Sequence, residues 1–202
     1  MYQEFFKKLG VFSVITNKEI AKVFPYFDTK NLVNWQKKKY IEKLRNNHYI
    51  FNDYPITEET LYHIANKLYE PSYISLESAL SFYSVIPEGV YTFQSVSTRK
   101  TNKFETPVGA FQYHNLKKEL YFGYKIVENE GVNYRISDIE KSILDFLYLR
   151  ASVKKISDFE SLRWNKEILK SIDFVKIDAY LTLFKSKTLE KKIKNLKNYI
   201  DA

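Results

Sequence analysis

The side chains best able to do chemistry in this 202-residue chain are amines and amides near its start. Lys30, Asn31, Asn34, Lys37 and Lys38 fall on the outward side of a predicted short helix, with Thr29 at its head and Lys18 on the helix before it. Asn can hydrogen-bond adenine edges in a major groove, and Lys can neutralise phosphate or reach guanine acceptors. Arg45, Asn46, Asn47 and His48 cluster where a tight hairpin is expected, suited to backbone phosphate or the minor groove. Together these residues point to recognition of double-stranded DNA. The bland alternative is a small helical domain whose lysines only keep it soluble.

Bond-making chemistry finds little support. With no Cys there is no thiol nucleophile, no Cys-ligated zinc and no iron–sulfur cluster. His48, His63 and His114 stand at no metal-ligand spacing, and the five Gly form neither a P-loop nor a dinucleotide fingerprint. The nearest approach to a metal-carboxylate nuclease is Asp178 with Glu190-Lys191-Lys192, in a Lys-rich run that reads first as a helix surface. Glu77, Glu105 and Glu119 are single acids. No catalytic residue, metal or cofactor is therefore expected.

The elements that must position the basic residues can be read in order. Tyr2 to Leu9 puts Phe5, Phe6 and Leu9 on one face. Thr16 or Asn17 can cap a helix with Ile20, Ala21 and Phe24 inward, ending before Pro25; Asp28 or Thr29 can cap the next, with Leu32, Val33 and Trp35 inward. Ile41 to Arg45 and His48 to Phe51 then form a hairpin through Asn46-Asn47, a pair suited to a type I′ turn. This order predicts a winged helix-turn-helix over residues 1–53.

Beyond it, Thr57 opens a helix with Leu61, Ile64, Ala65 and Leu68 on one face, and a second runs from Ser75. Strand candidates follow at Val90 to Ser97, Ala110 to Tyr113, Glu119 to Val127 and Val132 to Ile136. Asp138 can cap a helix carrying Ile139, Ile143, Leu144, Leu147 and Tyr148. The expected class is α+β: a winged helix-turn-helix, then at 54–202 a mixed, largely antiparallel sheet with helices and a helical basic tail at 151–202. In that tail Leu189, Ile193, Leu196 and Ile200 make a narrow apolar seam among Lys187, Lys191, Lys192, Lys194 and Lys197, either a solvated face or a second phosphate-contacting surface.

Charge follows the same division. Lys plus Arg against Asp plus Glu is 10 to 5 over residues 1–53, 10 to 12 over 54–150 and 12 to 7 over 151–202, within a net +8. Basic ends around a slightly acidic middle suit terminal segments that meet polyanions. Only five of the 32 basic residues are Arg, which limits bidentate base reading. No apolar run approaches the roughly 20 residues needed to cross a bilayer. The first ten residues lack a signal-peptide core, so a cytoplasmic protein without membrane contact is expected.

The middle of the chain resembles the AbiEi antitoxin family of type IV toxin–antitoxin (abortive infection) systems. The resemblance is carried by Glu70-Pro71-Ser72-Tyr73-Ile74-Ser75-Leu76-Glu77-Ser78-Ala79-Leu80 and Ile86-Pro87-Glu88. It continues through Thr98-Arg99-Lys100, Phe104-Glu105-Thr106-Pro107, Tyr121-Phe122-Gly123-Tyr124 and Ile143-Leu144-Asp145-Phe146-Leu147-Tyr148-Leu149. It spans roughly residues 60 to 150, with departures at Ser84, where such sequences often carry Gly, and Ile139, where they often carry Pro. It implies a non-catalytic antitoxin whose winged helix represses its own operon at inverted repeats in the promoter. It also implies that the rest opposes a nucleotidyltransferase-like toxin, a candidate protein partner. Arg99, Lys100 and Lys103, expected in a polar loop between strands, are either solvated or a contact surface for toxin or nucleic acid. A free-standing regulator with a ligand-sensing domain and no toxin is the alternative.

Overall fold

The computed structural model describes residues 1–129 and 131–201. The head runs α1 Tyr2–Leu9, β1 Ile15–Thr16, α2 Asn17–Val23, α3 Lys30–Lys37, β2 Ile41–Arg45 and β3 His48–Phe51. Its three short strands form an antiparallel sheet in the order β1-β3-β2. Thr16 and Glu19 make a reciprocal capping box that starts α2 directly after β1. Rings fill this small core: Phe5 lies 4.7 Å from Trp35, 5.6 Å from Phe24 and 5.8 Å from Phe51, centroid to centroid.

The body continues with α4 Glu58–Leu68, β4 Ser72–Ile74, α5 Leu76–Phe82, β5 Thr92–Ser97, β6 Asn102–Thr106, β7 Gly109–Asn115, β8 Tyr124–Asn129 and β9 Val132–Ser137. After the sheet come α6 Ile139–Leu149, α7 Ile156–Leu162, α8 Lys166–Lys170, α9 Phe174–Phe184 and α10 Lys187–Asp201. The six strands lie in the order β6-β7-β5-β4-β9-β8; the β5–β7 and β4–β9 pairs are parallel and the other three antiparallel. The fold is thus α+β with a mixed sheet.

Alternation along the strands divides the core. Ile74, Phe93, Phe111, Tyr113, Tyr134 and Ile136 face α4, and Val14, Leu44 and Ile50 of the head join them. Tyr73 and Val96 face the other way, into a cluster with α5, α6 and the tail helices down to Ile200. The tail therefore shares the body's core. Ser84, just past α5, sits at φ 57°, a left-handed conformation that Gly adopts without steric cost.

Several expectations are corrected. Residues 119–123 are not strand: a short 3-10 helix spans Lys118–Leu120, and the chain then turns at Gly123 (φ 69°), whose carbonyl accepts from Asp138 N–H at 2.9 Å. The polar stretch after Arg99 is not all loop, since Asn102–Thr106 forms the edge strand β6, and Lys103 lies on it. Of the hairpin pair only Asn47 has positive φ (65°), whereas type I′ requires both; the register slips between Lys43 and Arg45, as a turn closed by a bulge demands. Ala21 is exposed rather than inward. Lys192 leaves the predicted cationic face altogether, because it is 5% exposed and donates to the Leu147 and Arg150 carbonyls at the end of α6.

At the centre of the body α6 buries an ion pair. Lys141 and Asp145, four residues apart, are both 0% exposed and in contact. Tyr73 Oη and Ser75 Oγ each donate to Asp145 Oδ2 at 2.9 Å, while Lys141 Nζ also donates to Tyr73 Oη at 2.9 Å. Burial pushes the Lys141 pKa down and that of Asp145 up, each against the attraction of its partner.

Two histidines give the fold an acid-sensitive component. Burial lowers the pKa of His63, whose Nδ1 is 2.6 Å from the Asn133 carbonyl, and of His114, whose Nε2 is 2.7 Å from Gln94 Oε1. Below about pH 6.5 the unfolded chain then binds more protons than the folded one. The stability present above that pH is lost progressively as acidification proceeds through the lowered folded values. Melting temperatures should fall across this window, and the fall should be shallower in a His63→Gln/His114→Gln chain. Identical pH profiles for the two proteins would contradict the assignment.

Candidate nucleic-acid interface

Helix α3 is anchored by Leu32 and Trp35, 3% and 6% exposed, one turn apart on its inner side. At its start Asp28 Oδ1 accepts from Lys30 N–H at 2.9 Å, whereas the Thr29 side chain makes no capping bond. Geometry then dictates what faces solvent: Lys30, Val33, Asn34 and Lys37 stand at i, i+3, i+4 and i+7, and all four are exposed. Val33 was expected inward and is instead 53% exposed. The exposed face thus combines one apolar group with an amide and two amines. The anchors alone could have located it, because a residue adjacent to Leu32 is rotated about 100° around the helix.

Of the other candidates on this segment, Thr29 and Lys38 are exposed at the two ends of the helix, and Lys18 is exposed in the first turn of α2. Asn31 is half-buried and its amide donates to the Asp28 carbonyl at 2.9 Å, so it serves the turn. Among the described residues Lys18, Lys30, Lys37 and Lys38 join no ion pair. Their charge is available to an external anion.

The hairpin tip docks beside α2. Asn17 Nδ2 donates to Asn47 Oδ1 at 3.0 Å, and Asn17 N–H to the Asn47 carbonyl at 3.3 Å. Asn46 and Asn47 remain exposed, and His48 Nδ1 lies 2.9 Å from the Asn46 carbonyl, which places the ring proton on Nδ1. Arg45 is turned away: its guanidinium donates to the Leu68 carbonyl and lies 4.5 Å from the Phe104 ring centre. It joins the head to α4 and β6 and is not a fingertip. Such a cation–π contact contributes about 0.5–2 kcal/mol.

The second candidate group is divided. Arg99 donates to the Glu70 carbonyl at 3.1 Å and lies 4.2 Å from the Tyr69 ring centre. Lys103 pairs with Glu105 at 2.5 Å, leaving the exposed Lys100 without an ion pair among the described residues. Of the residues considered for a nuclease, Asp178 pairs with Lys197 at 3.2 Å and Lys192 is buried. Among the described residues no group of three or more His, Asp or Glu is placed to hold a metal ion, and no helix is long and apolar enough to cross a membrane. The chain matches no known family model and no curated protein.

Proposed function

We propose that the chain is an antitoxin and DNA-binding autorepressor of a type IV toxin–antitoxin operon. Residues 1–53 act as a winged helix-turn-helix, with α3 in the major groove and the β2–β3 hairpin as the wing. The observation that carries this reading is the outer face of α3, where Lys30, Val33, Asn34 and Lys37 all meet solvent. The element order of the head and the docking of the hairpin tip on the start of α2 support it. Inverted repeats in the chain's own promoter are the duplex target, and the body, residues 54–202, opposes a nucleotidyltransferase-like toxin. The protein acts in the cytoplasm without catalysis of its own.

Footprinting on the promoter upstream of the reading frame tests the DNA arm, and growth rescue on coexpression with the neighbouring nucleotidyltransferase-like gene tests the other. The absence of both protection and rescue would overturn the reading. Rescue without protection would leave an antitoxin that does not repress. A free-standing regulator that senses a small ligand finds its supporting feature in a polar cavity beside α4.

Val33 supplies a sharper check. Replacing an operator thymine by uracil removes only the methyl that this side chain would touch. Wild-type affinity should fall about three- to tenfold at that position, and Val33→Ala should show no further loss on the same change. An equal loss in both proteins would remove Val33 from the base-reading set.

A further inference from the structure

A cavity of about 340 Å³ opens between α4 and the β8–β9 hairpin. Asn66, 5% exposed, forms part of its wall. The Asn66 Oδ1 accepts from Arg135 N–H at 2.5 Å, which fixes the amide so that Nδ2 is the group left over. That Nδ2 has no acceptor among the described residues. A buried donor left in this state is unfavourable, and a ligand oxygen admitted by a small shift of the cavity wall would relieve it.

The charged lining is balanced. Lys67 and Arg135 face the cavity with Glu70 and Glu128, and none of the four joins an ion pair among the described residues. Two carboxylates oppose a polyphosphate as strongly as two cations attract it. Two rings lie in the wall: Tyr134, 3% exposed, presents no ring face on which a base could stack, and His63 is a small imidazole whose Nδ1 is 2.6 Å from the Asn133 carbonyl. A neutral ligand carrying both signs suits this lining: a carboxylate toward Asn66 Nδ2, Lys67 and Arg135, and an ammonium toward Glu70 and Glu128.

We propose that this cavity is a binding site for a small zwitterion of the amino-acid class. The site adjoins the joint between head and body, because Leu68, whose carbonyl holds Arg45, lies between Lys67 and Glu70. The assignment does not depend on the DNA reading.

The test is calorimetric titration of the full chain with each of the twenty free L-amino acids, with GTP and inorganic phosphate as contrasts. At least one amino acid should bind at a single site. Asn66→Asp keeps the acceptor for Arg135 N–H and removes the donor, and should weaken binding at least about tenfold. Lys67→Gln and Arg135→Gln alter side chains that are not buried, so they decide the matter should Asn66→Asp fail to fold; each should weaken binding several-fold. Binding of none of the twenty, binding unaffected by any of the variants that fold, or binding of GTP or phosphate instead would each overturn the proposal.

Discussion

Replacing Lys30, Asn34 and Lys37 together with alanine should reduce affinity for the promoter duplex by about two to three orders of magnitude at fixed salt. The three contributions are separable. A bidentate amide–adenine pair is worth about 1–3 kcal/mol of discrimination, so Asn34→Ala should relax sequence preference at one base pair. Each lysine that neutralises a phosphate releases counterions, so its loss should flatten the salt dependence by about one unit without changing which sequence is preferred. All three side chains are exposed and alanine is a strong helix former, so the melting temperature should hardly move. Lys194→Ala, on the exposed side of α10, removes one such charge elsewhere and serves as the control for a single lysine. Should Lys194→Ala weaken binding as much as the α3 variant, the tail rather than α3 would be the principal phosphate contact. Unchanged affinity in the triple variant would eliminate α3 as the reading helix.

The largest stability effect should come from the body. Lys141→Met leaves Asp145 fully buried and held by two hydroxyl donors, Tyr73 and Ser75, but without its cation, so the carboxyl must stay ionised unpaired or take up a proton. Stranding one member of a buried pair typically costs about 3–5 kcal/mol. For a chain of this size that corresponds to a drop of roughly 6–20 °C in melting temperature. Exchanging both residues, Lys141→Met with Asp145→Leu, should recover most of the loss, since apolar substitutes of similar volume avoid the desolvation cost that the pair carries. Failure of the double variant to recover would show that the hydroxyl network, rather than the charge balance, stabilises α6. Thermal melts of the three proteins distinguish these outcomes.

Legibility in the sequence follows from how local each signal is. The bounds of α1 and of the two hairpin strands in the head could be read closely because Gly10 and Asn46-Asn47 act over a few positions, whereas the two-residue strand β1 was not anticipated. Strand β4 has only three residues, all buried, so it offers no alternation to detect. Strand β6 hides for the opposite reason: it is a polar edge in which only Phe104 and Thr106 are half-covered. Leu120 to Phe122 mimic a strand by composition, and the turn at Gly123 that prevents it depends on a bond to Asp138, fifteen residues further on. At the candidate interface the lysines and amides were recoverable from type and spacing. The outward Val33 followed from the helix rotation away from Leu32 and Trp35, but the inward Arg45 was not recoverable, because it is decided by Leu68 and Phe104, partners distant in sequence. The burial of Lys141 and Lys192 runs against the usual place of lysine at the surface and is set by tertiary packing.

The clasp on Arg45 has a geometric corollary. A strand gripped by the Leu68 carbonyl and the Phe104 ring cannot hinge freely against the body behind it. On the proposed reading, a chain seated in a groove would carry its bulk at one azimuth around the double helix. Inserting a single base pair between two half-sites would swing one bulk by about 35° relative to the other, so operator spacing would decide whether two bound copies collide, touch or stand clear.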